Sequence, residues 1–380
     1  MWAGAAEEGK SDGFIGWRQG ARLMRAMRYR AGQDHALAAT ARAILAAVRQ
    51  ANTGAYCRIQ NGFICFAAKL PTTRLNSYLE RHTISIMKIN TKSKNTANTF
   101  GKPRLLILGC GDVGMRLLPL LRDRFRIFAV TTQLSRQEEL RAAGAVPVIA
   151  NLDEPATLAR LARLSSHIVH LAPPQSAGAT DKRTRNLTAI LPDHATLVYV
   201  STSGVYGDCG GEWVDETRTV QPHNPRATRR VDAEKVLRAW ARRSQSRLSI
   251  LRVPGIYADD RLPVDRLKKG SPALLAEDDV YTNHIHAEDL AQIIALALFR
   301  AQPCRIYHAV DDTDMKMGAY FDAVADALSL PRPPRLSREK LQHEVSPMML
   351  SFMSESRRLT NQRIKAELGV RLRYATVGQA

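Results

Sequence analysis

A glycine-rich turn at residues 109–114, with the sequence GCGDVG, constrains the fold of this chain more than any other feature. An apolar run at 105–108 precedes the turn, and a segment with apolar residues at helical spacing follows it. A strand, a glycine-rich turn and a helix in this order are typical of a dinucleotide-binding unit. Gly109 would allow the tight turn, Gly111 a close approach of the backbone to a pyrophosphate, and Gly114 close packing of the helix.

The residues after the second glycine are predicted to begin this helix. Its free N–H groups near Asp112 and Val113, and the positive end of its dipole, would point at the phosphates. We therefore predict that Asp112 and Val113 bind a dinucleotide together with the three glycines. A glycine-rich turn that serves only the fold is the alternative, because the pattern also occurs by chance.

Apolar runs alternate with helical patterns after the turn. The runs predict strands and are almost unbroken, which is typical of parallel strands buried on both faces with helices as crossovers. The predicted strands are 105–108, 127–132, 147–150, 167–171, 197–200 and 248–253. The alternation predicts an α/β fold with a doubly wound parallel (Rossmann) sheet. It loosens after residue 250, which indicates a smaller C-terminal substrate lobe.

The charge is unevenly distributed along the 380 residues. Residues 1–100 hold 15 Lys and Arg against five Asp and Glu, and so carry about half of the net charge of +19. We predict a basic, disordered extension at 1–102, a Rossmann dinucleotide-binding domain at 103–250 and a smaller lobe at 251–380 that completes the site. A translation start at Met87 is an alternative for the extension. Because the excess charge is concentrated outside the folded domain and no nucleic-acid motif accompanies it, we expect no nucleic-acid partner.

The cysteines indicate a reducing compartment. None of the five has CxxC or Cys/His ligand spacing, so we expect neither a disulfide framework nor a metal site, and we expect a cytoplasmic protein. No apolar stretch reaches the roughly 18 residues that a membrane span needs, so we expect no membrane partner. The five are Cys57, Cys65, Cys110, Cys209 and Cys304.

Three further segments accompany the glycine-rich turn: VSTSGVYGD at 200–208, LRVPGIY at 251–257 and NHIHAEDL at 283–290. With these four segments in this order, the chain from about residue 102 to its end resembles the NAD-dependent epimerase/dehydratase branch of the extended short-chain dehydrogenases/reductases. Leu108 stands where the branch usually has the first glycine of GxxGxxG. The chain is therefore similar to the atypical members, whose activities are mostly undefined.

The resemblance implies NAD or NADP as cofactor, held at the carboxyl ends of the strands. Near 129–136, about 20 residues past the glycines, NAD-binding folds place an acid for the ribose 2′-hydroxyl, and this chain has none there. Thr131 and Arg136 could accommodate a 2′-phosphate instead, which favours NADP slightly; the alternative is that Arg136 only starts the next helix. The other predicted cofactor contacts are Asn151 and Leu152 at the adenine, Leu171, Ala172 and Pro173 along the dinucleotide, and Pro254.

The resemblance also implies that the hydroxyl of Thr202 polarises a substrate carbonyl. The alternative is that this hydroxyl only caps the exit of the chain from the strand. The superfamily's Tyr-x-x-x-Lys pair is replaced, because Arg226 falls on the Tyr position and Arg230 on the Lys position. A guanidinium only donates hydrogen bonds and stays protonated, so Arg226 is not a general base near neutral pH.

Other roles remain open for these arginines. Arg230 could donate to ribose hydroxyls, and Arg226 or Arg229 could hold an anionic group; a solvated, arginine-rich helix face is the alternative. Tyr199 and Tyr206 are the nearest replacements for the missing base, and strand alternation and the packing role of Val-Tyr-Gly argue against both.

We therefore predict an NAD(P)-binding oxidoreductase or epimerase that acts on a small substrate. An anionic substrate is one alternative, and a homodimer is one alternative for the oligomeric state. A non-catalytic NAD(P)-binding regulator or scaffold is the alternative. His284 and His286 lack further ligands at suitable spacing and are predicted to be structural. Residues 355–369 predict a terminal helix that ends at Gly369.

Overall fold

The computed structural model describes residues 56–60, 63–67 and 101–379. Within the segment predicted as a basic extension, Tyr56–Gln60 and Phe63–Ala67 pair as an antiparallel hairpin. Most of that extension, with Met87, lies outside the described residues. Residues 101–379 belong to a compact unit of their own, and the architecture below is that of this unit.

A parallel sheet organises this unit, as predicted, and it has seven strands, one more than the six that the sequence predicts. Its strands lie in the order β3-β2-β1-β4-β5-β6-β7. The order reverses between β1 and β4, and such a switch point is where open α/β sheets bind ligands. The strands are β1 (Arg104–Leu108), β2 (Arg126–Thr131), β3 (Val146–Ile149), β4 (His167–His170), β5 (Thr196–Thr202), β6 (Arg247–Val253) and β7 (Arg305–His308).

Helices cover both faces of the sheet. None of the helices in the described ranges is both long and apolar enough to span a membrane. The helices are α1 (Asp112–Leu121), α2 (Gln137–Ala142), α3 (Lys182–Thr188), α4 (Pro225–Arg243), α5 (Val264–Lys268), α6 (Ala287–Arg300), α7 (Met317–Ala327), α8 (Arg338–Glu344) and α9 (Pro347–Phe352).

Strand β1 explains why the apolar runs are unbroken. Leu105 and Ile107 belong to the core under α1 and α6, whereas Leu106 and Leu108 belong to the core under α3 and α4. All four side chains have no exposed surface. Because successive side chains of a strand point to opposite faces, a strand covered on both sides needs apolar residues at every position.

Short elements of the C-terminal part, the predicted substrate lobe, surround a core of their own formed by Tyr257, Leu267, Phe321, Leu341 and Met353. Four pairs of short strands link segments that are distant in the sequence. The pairs are Gly255–Tyr257 with His284–His286, Ala273–Leu274 with Arg335–Leu336, Tyr281–Thr282 with Met315–Lys316, and Trp213–Val214 with Arg358–Leu359.

The prediction of a helix over 355–369 is wrong for the first half of that segment. Arg358–Leu359 is a strand that pairs with Trp213–Val214, whereas residues 362–368 are helical and end in a π-type turn at Ile364–Leu368. Strand pairing with a segment more than 140 residues away has overridden the local helical pattern. The turn does end at Gly369, whose φ of +66° is a left-handed conformation suited to glycine.

Candidate active site

The glycine-rich turn joins β1 to α1, and each glycine meets a different steric requirement. Gly109 has a φ of +79°, and a Cβ there would lie 2.7 Å from the backbone nitrogen of Ala172. A Cβ on Gly114 would lie 2.9 Å from Cys110 Sγ, so α1 packs tightly against the turn. A Cβ on Gly111, in contrast, would have no heavy atom within 4 Å.

Gly111 is also the N-cap of α1, and no side chain caps this helix end. The first N–H groups of a helix have no partner within the helix and attract anions. Open space at Gly111 next to these donors, including the N–H groups of Asp112 and Val113, fits the pyrophosphate of a dinucleotide.

The chain leaving β4 borders the turn. The N–H groups of Leu171 and Ala172 both donate to Leu108 O, at 2.9 and 3.0 Å. Ala172 is buried, Leu171 is half-buried and Pro173 is exposed. The ends of β1 and β4 are thus fastened together, and the predicted contacts at 171–173 lie beside the turn.

Arg136 lies beside the turn as well. Its Nη1 donates to Cys110 O at 2.6 Å, while Nε and Nη2 donate to the Glu139 carboxylate at 2.8 and 2.9 Å. The pairing with Arg136 holds the pKa of Glu139 below its usual value. Thr131, at the end of β2, accepts from Gln133 N at 3.1 Å. Arg136 therefore does more than start the next helix, and a 2′-phosphate would compete with Glu139 for its guanidinium.

The adenine contacts predicted after β3 lie in a tight, self-bonded loop. Asn151 Nδ2 donates to Glu154 Oε1 at 2.7 Å, and its Oδ1 accepts from Asp153 N at 3.0 Å. Leu152 is buried in the core under α3 and α4. The roles of Asn151 and Leu152 toward an adenine stay predictions.

Thr202 ends β5 and caps the 3-10 helix Ser203–Tyr206. Its Oγ1 accepts from Gly204 N at 3.2 Å, so the capping interaction is present. The hydroxyl is used as an acceptor only; no residue of 101–379 receives its hydrogen. Thr202 is half-buried and pairs in register with Val253, the last residue of β6. Pro254 is therefore the first residue after the end of this neighbouring strand. Its hydroxyl can cap the chain and still donate to a ligand.

The first turns of α4 concentrate positive charge. Burial lowers the pKa of Arg226, and the charges of Arg229 and Arg230 lower it further. Within residues 101–379 none of the three forms a salt bridge, and the carboxylate that acts most on Arg226, Glu355, is paired with Arg357 at 2.9 Å. Arg226 is exposed, Arg230 is half-buried and Arg229 is buried, so a solvated, arginine-rich helix face describes Arg226 but not Arg229.

The three guanidinium groups differ in their contacts. Arg226 lies over the Phe352 ring of α9, with 4.4 Å from its Cζ to the ring centroid. Arg229 is buried and donates from Nη1 to Gly178 O at 2.8 Å, while its Nε has no partner. Arg230 donates from Nη1 to Val200 O at 2.8 Å and to Tyr199 Oη at 3.0 Å.

Neither candidate tyrosine replaces the missing base. Burial raises the pKa of Tyr199 to about 12, although Arg230 opposes this shift. Burial likewise raises the pKa of Tyr206 to about 12, against the opposing charge of Arg252. Tyr206 Oη is bonded to His308 Nε2 at 2.5 Å and to Arg252 Nη1 at 2.7 Å. Both phenols are buried and neutral at physiological pH.

A buried ion pair that the sequence reading missed lies beneath these residues. Arg252 Nη2 donates to Glu234 Oε2 at 2.8 Å, and Ser201 Oγ donates to Glu234 Oε1 at 2.7 Å. Arg252 and Glu234 are each only 3 % exposed. The pair connects α4, β5 and β6 next to Thr202. An arginine inside the apolar strand at 248–253 was the available signal, since a buried charge needs a partner.

The two histidines predicted to be structural pack against aromatic rings. The His284 ring stacks on Tyr320 with 4.1 Å between centroids, and the His286 ring stacks on Tyr374 with 3.6 Å. His286 Nδ1 also accepts from Glu288 N at 3.3 Å, which caps α6. Both rings therefore pack against aromatic side chains, while His284 Nδ1 and His286 Nε2 are buried without a hydrogen-bond partner among the described residues.

Comparison with known proteins identifies the family. The model of the NAD dependent epimerase/dehydratase family matches residues 105–309, more than half of the chain. The chain belongs to the NAD-dependent epimerase/dehydratase family. A search of curated proteins found no match.

Solved structures of relatives of this epimerase/dehydratase chain agree with its fold. A conserved protein of unknown function from Silicibacter pomeroyi is 30% identical, with a TM-score of 0.61 over 73% of this chain and 96% of that one. UDP-glucose 4-epimerase from Thermotoga maritima is 15% identical (TM-score 0.59, 73% and 95% covered). A double mutant of dTDP-glucose 4,6-dehydratase from Streptomyces venezuelae, solved with NAD, is 20% identical (TM-score 0.59, 73% and 95% covered).

Proposed function

We propose that this epimerase/dehydratase family member binds a nicotinamide dinucleotide and acts as an oxidoreductase or epimerase on a small anionic substrate. The observation that carries the proposal is the open space at Gly111 beside the uncapped N-terminus of α1. Side chains of Asn224 and Asp181 cap α4 and α3, whereas α2, α5 and α7 lack a side-chain cap as α1 does, so the open space at Gly111 is the distinguishing part of this observation. When bound, the dinucleotide supplies or accepts a hydride.

The proposed substrate contacts lie at the carboxyl ends of β5 and β6 and on α4. Thr202 would donate its free hydroxyl hydrogen to a substrate carbonyl. Arg226 would hold an anionic substrate group, because its guanidinium is exposed and forms no salt bridge with a carboxylate among the described residues. Arg230 would donate to ribose hydroxyls from Nε and Nη2, since its bonds to Val200 and Tyr199 use Nη1 alone.

The proton of the reaction needs a different route from that of the family's Tyr-Lys pair. Arg226 can stabilise a developing oxyanion by donating hydrogen bonds, but it cannot accept a proton. We therefore assign proton transfer to solvent water. A positioned general acid or base contributes about 10²–10⁴-fold to a rate, so slow turnover is expected.

For the cofactor we favour NADP over NAD. The position of Arg136 beside the turn supports this preference, whereas its engagement with Glu139 limits it. The remaining proposed cofactor contacts are Thr131, Asn151, Leu152, Leu171, Ala172, Pro173 and Pro254. A cytoplasmic location and a homodimer stay predictions.

The second candidate is a regulator or scaffold that binds NAD(P) without turnover. The burial of Tyr199 and Tyr206 favours it, because it leaves neither phenol accessible as a base. The regulator and the enzyme share the cofactor site and differ only in what happens after binding.

Titration with NADPH and NADH, followed by a panel of carbonyl compounds and nucleotide sugars with and without carboxylate groups, tests both candidates. The enzyme predicts cofactor binding and slow hydride transfer, strongest with anionic substrates. Tight cofactor binding without hydride transfer to any compound would establish the regulator. Absence of binding to either dinucleotide would overturn both.

A further inference from the structure

Ion pairs connect the loop after β6 to the first turn of α1. Arg261 Nη1 donates to Asp112 Oδ2 at 2.7 Å, and Arg116 Nη2 donates to Asp260 Oδ1 at 2.7 Å. Arg116 Nε also donates to Asp112 Oδ1 at 2.9 Å. Two arginines and two carboxylates thus alternate in a chain, Arg261–Asp112–Arg116–Asp260, between the C-terminal lobe and the cofactor-binding helix.

Asp112 has an unusual position for a carboxylate. It is the first residue of α1 and directly follows Gly111, where the open space fits a pyrophosphate. Although burial acts to raise its pKa, the hydrogen bonds from Arg261 and Arg116 hold that pKa below its usual value. An ionised carboxylate here would repel phosphate groups unless a cation accompanied it.

Arg261 is the better placed of the two cations to meet an incoming anion. Arg116 uses Nε on Asp112 and Nη2 on Asp260, whereas Arg261 uses only Nη1. Its Nε and Nη2 donate to no residue in the described part of the chain. A guanidinium has five N–H donors, so Arg261 can keep its bond to Asp112 and bind a second anion.

We propose that Arg261 is a cofactor-binding residue, which Asp112 holds beside the glycine-rich turn so that its remaining N–H groups donate to the pyrophosphate. This inference rests on the proposed dinucleotide site. It assigns to the C-terminal lobe a direct contribution to cofactor affinity, and it gives Asp112 the role of positioning residue. Exposed ion pairs are individually weak, so the loop can separate from α1 when the cofactor exchanges.

The test measures the dissociation constants of NADH, NADPH and ADP-ribose for the full chain and for R261Q, R261K and R332Q. Arg332 is the control, because it also forms an exposed ion pair, with Asp326 at 2.6 Å, away from the turn. We expect R261Q to raise the dissociation constants of all three ligands about tenfold, the loss typical of a charge-assisted hydrogen bond. The dissociation constants of R261K should lie between those of the parent and of R261Q. The dissociation constants of R332Q should stay within about twofold of those of the parent.

ADP-ribose is the deciding ligand because it has the pyrophosphate but no nicotinamide. Unchanged ADP-ribose affinity in R261Q would overturn the assignment, even if NADH bound more weakly. If the parent protein bound none of the three ligands, the proposed function itself would fail instead. Thermal unfolding of R261Q should match the parent, since Arg261 is about one-third exposed; if R261Q unfolds early, the ADP-ribose affinity of R261K decides.

Discussion

Arg230 donates from Nη1 to the phenol oxygen of Tyr199 at 3.0 Å, so a cation on α4 and a phenol on β5 lie together. The family's Tyr-Lys pair also joins a cation to a phenol, but on one helix at the edge of the site. In this protein Tyr199 has no exposed surface. The pair therefore fixes α4 against β5 and leaves the outer nitrogens of Arg230 available.

We expect R230Q to weaken the binding of NADH and NADPH about five- to tenfold, because a neutral amide donates to ribose hydroxyls less strongly than a guanidinium. Y199F is the matched control: it removes the inner hydrogen bond but keeps Arg230 and its bond to Val200 O. Fluorescence titration measures the dissociation constants of both variants for NADH and NADPH. A loss of affinity in Y199F equal to that in R230Q would indicate that Arg230 acts only through packing.

G111V should abolish dinucleotide binding without destabilising the protein. The φ of Gly111 is −83°, which valine tolerates, and its Cβ would enter open space. That space is where the pyrophosphate is expected. G114V is the contrasting variant, since its Cβ would meet Cys110 Sγ at 2.9 Å and should lower the unfolding midpoint. Parent-like affinity in G111V would falsify the cofactor site.

E139Q should shift cofactor preference toward NADPH. Glu139 occupies two donors of Arg136, and a neutral amide releases the guanidinium for a 2′-phosphate. We expect the ratio of NADH to NADPH dissociation constants to rise about three- to tenfold, in line with one charge-assisted bond. R141A on the same helix, where Arg141 bonds only Gln137, should leave the ratio unchanged. An unchanged ratio in E139Q contradicts the role given to Arg136.

R226Y combined with R230K restores the family's pair of residues. If the site catalyses hydride transfer, a phenol at the edge of the site supplies the missing proton relay, and turnover should rise by about 100-fold. Phe352 would then contact a phenol ring rather than a guanidinium. Stopped-flow measurement of NADPH oxidation with the best substrate of the parent checks this. No gain in a variant that still binds NADPH would favour the regulator.

Stability should fall as the pH decreases from about 6.5 to 4. Burial lowers the pKa of His170 to about 3, of His284 to about 4 and of His308 to about 3. The unfolded chain therefore binds three more protons at these sites, whereas the folded state binds one more at Asp311, whose pKa burial raises to about 7. For these four groups, two net protons correspond to a loss of roughly 2.7 kcal/mol per pH unit. Burial also raises the pKa of Glu216 and of Asp279, which opposes this loss.

Urea unfolding at pH 7, 6 and 5 measures this dependence. H284F removes one of the three imidazoles and keeps a ring against Tyr320, so it should reduce the slope by about 1.4 kcal/mol per pH unit. Stability that stays flat or rises toward pH 5 would show that these histidines are not buried as neutral groups.

The parts of the fold that could be predicted are those set by local sequence. Unbroken apolar runs gave the parallel strands, since each strand is covered on both faces. The steric role of each glycine followed from its place between β1 and α1. The exchange of Tyr-Lys for Arg226 and Arg230 was visible because it occurs at a fixed spacing on one helix.

The remaining contacts depend on residues far apart in the chain. Arg261 meets Asp112 across 149 positions, and Phe352 meets Arg226 only after α9 has packed against α4. No local pattern encodes either pair. The strand at Arg358–Leu359 is similar: its own residues favour a helix, and the free edge of Trp213–Val214 decides otherwise.

Thr202 illustrates what the backbone contributes before any ligand arrives. The N–H of Gly204 already occupies one lone pair of its oxygen, which restricts the directions in which the hydroxyl hydrogen can point. The turn that the hydroxyl stabilises thus preorganises it as a donor. A ligand that accepts this hydrogen then binds with a smaller entropy cost for fixing the direction of the hydroxyl. A serine at this position would keep the acceptor for Gly204 N and the hydroxyl hydrogen, whereas a valine of similar shape would lose both.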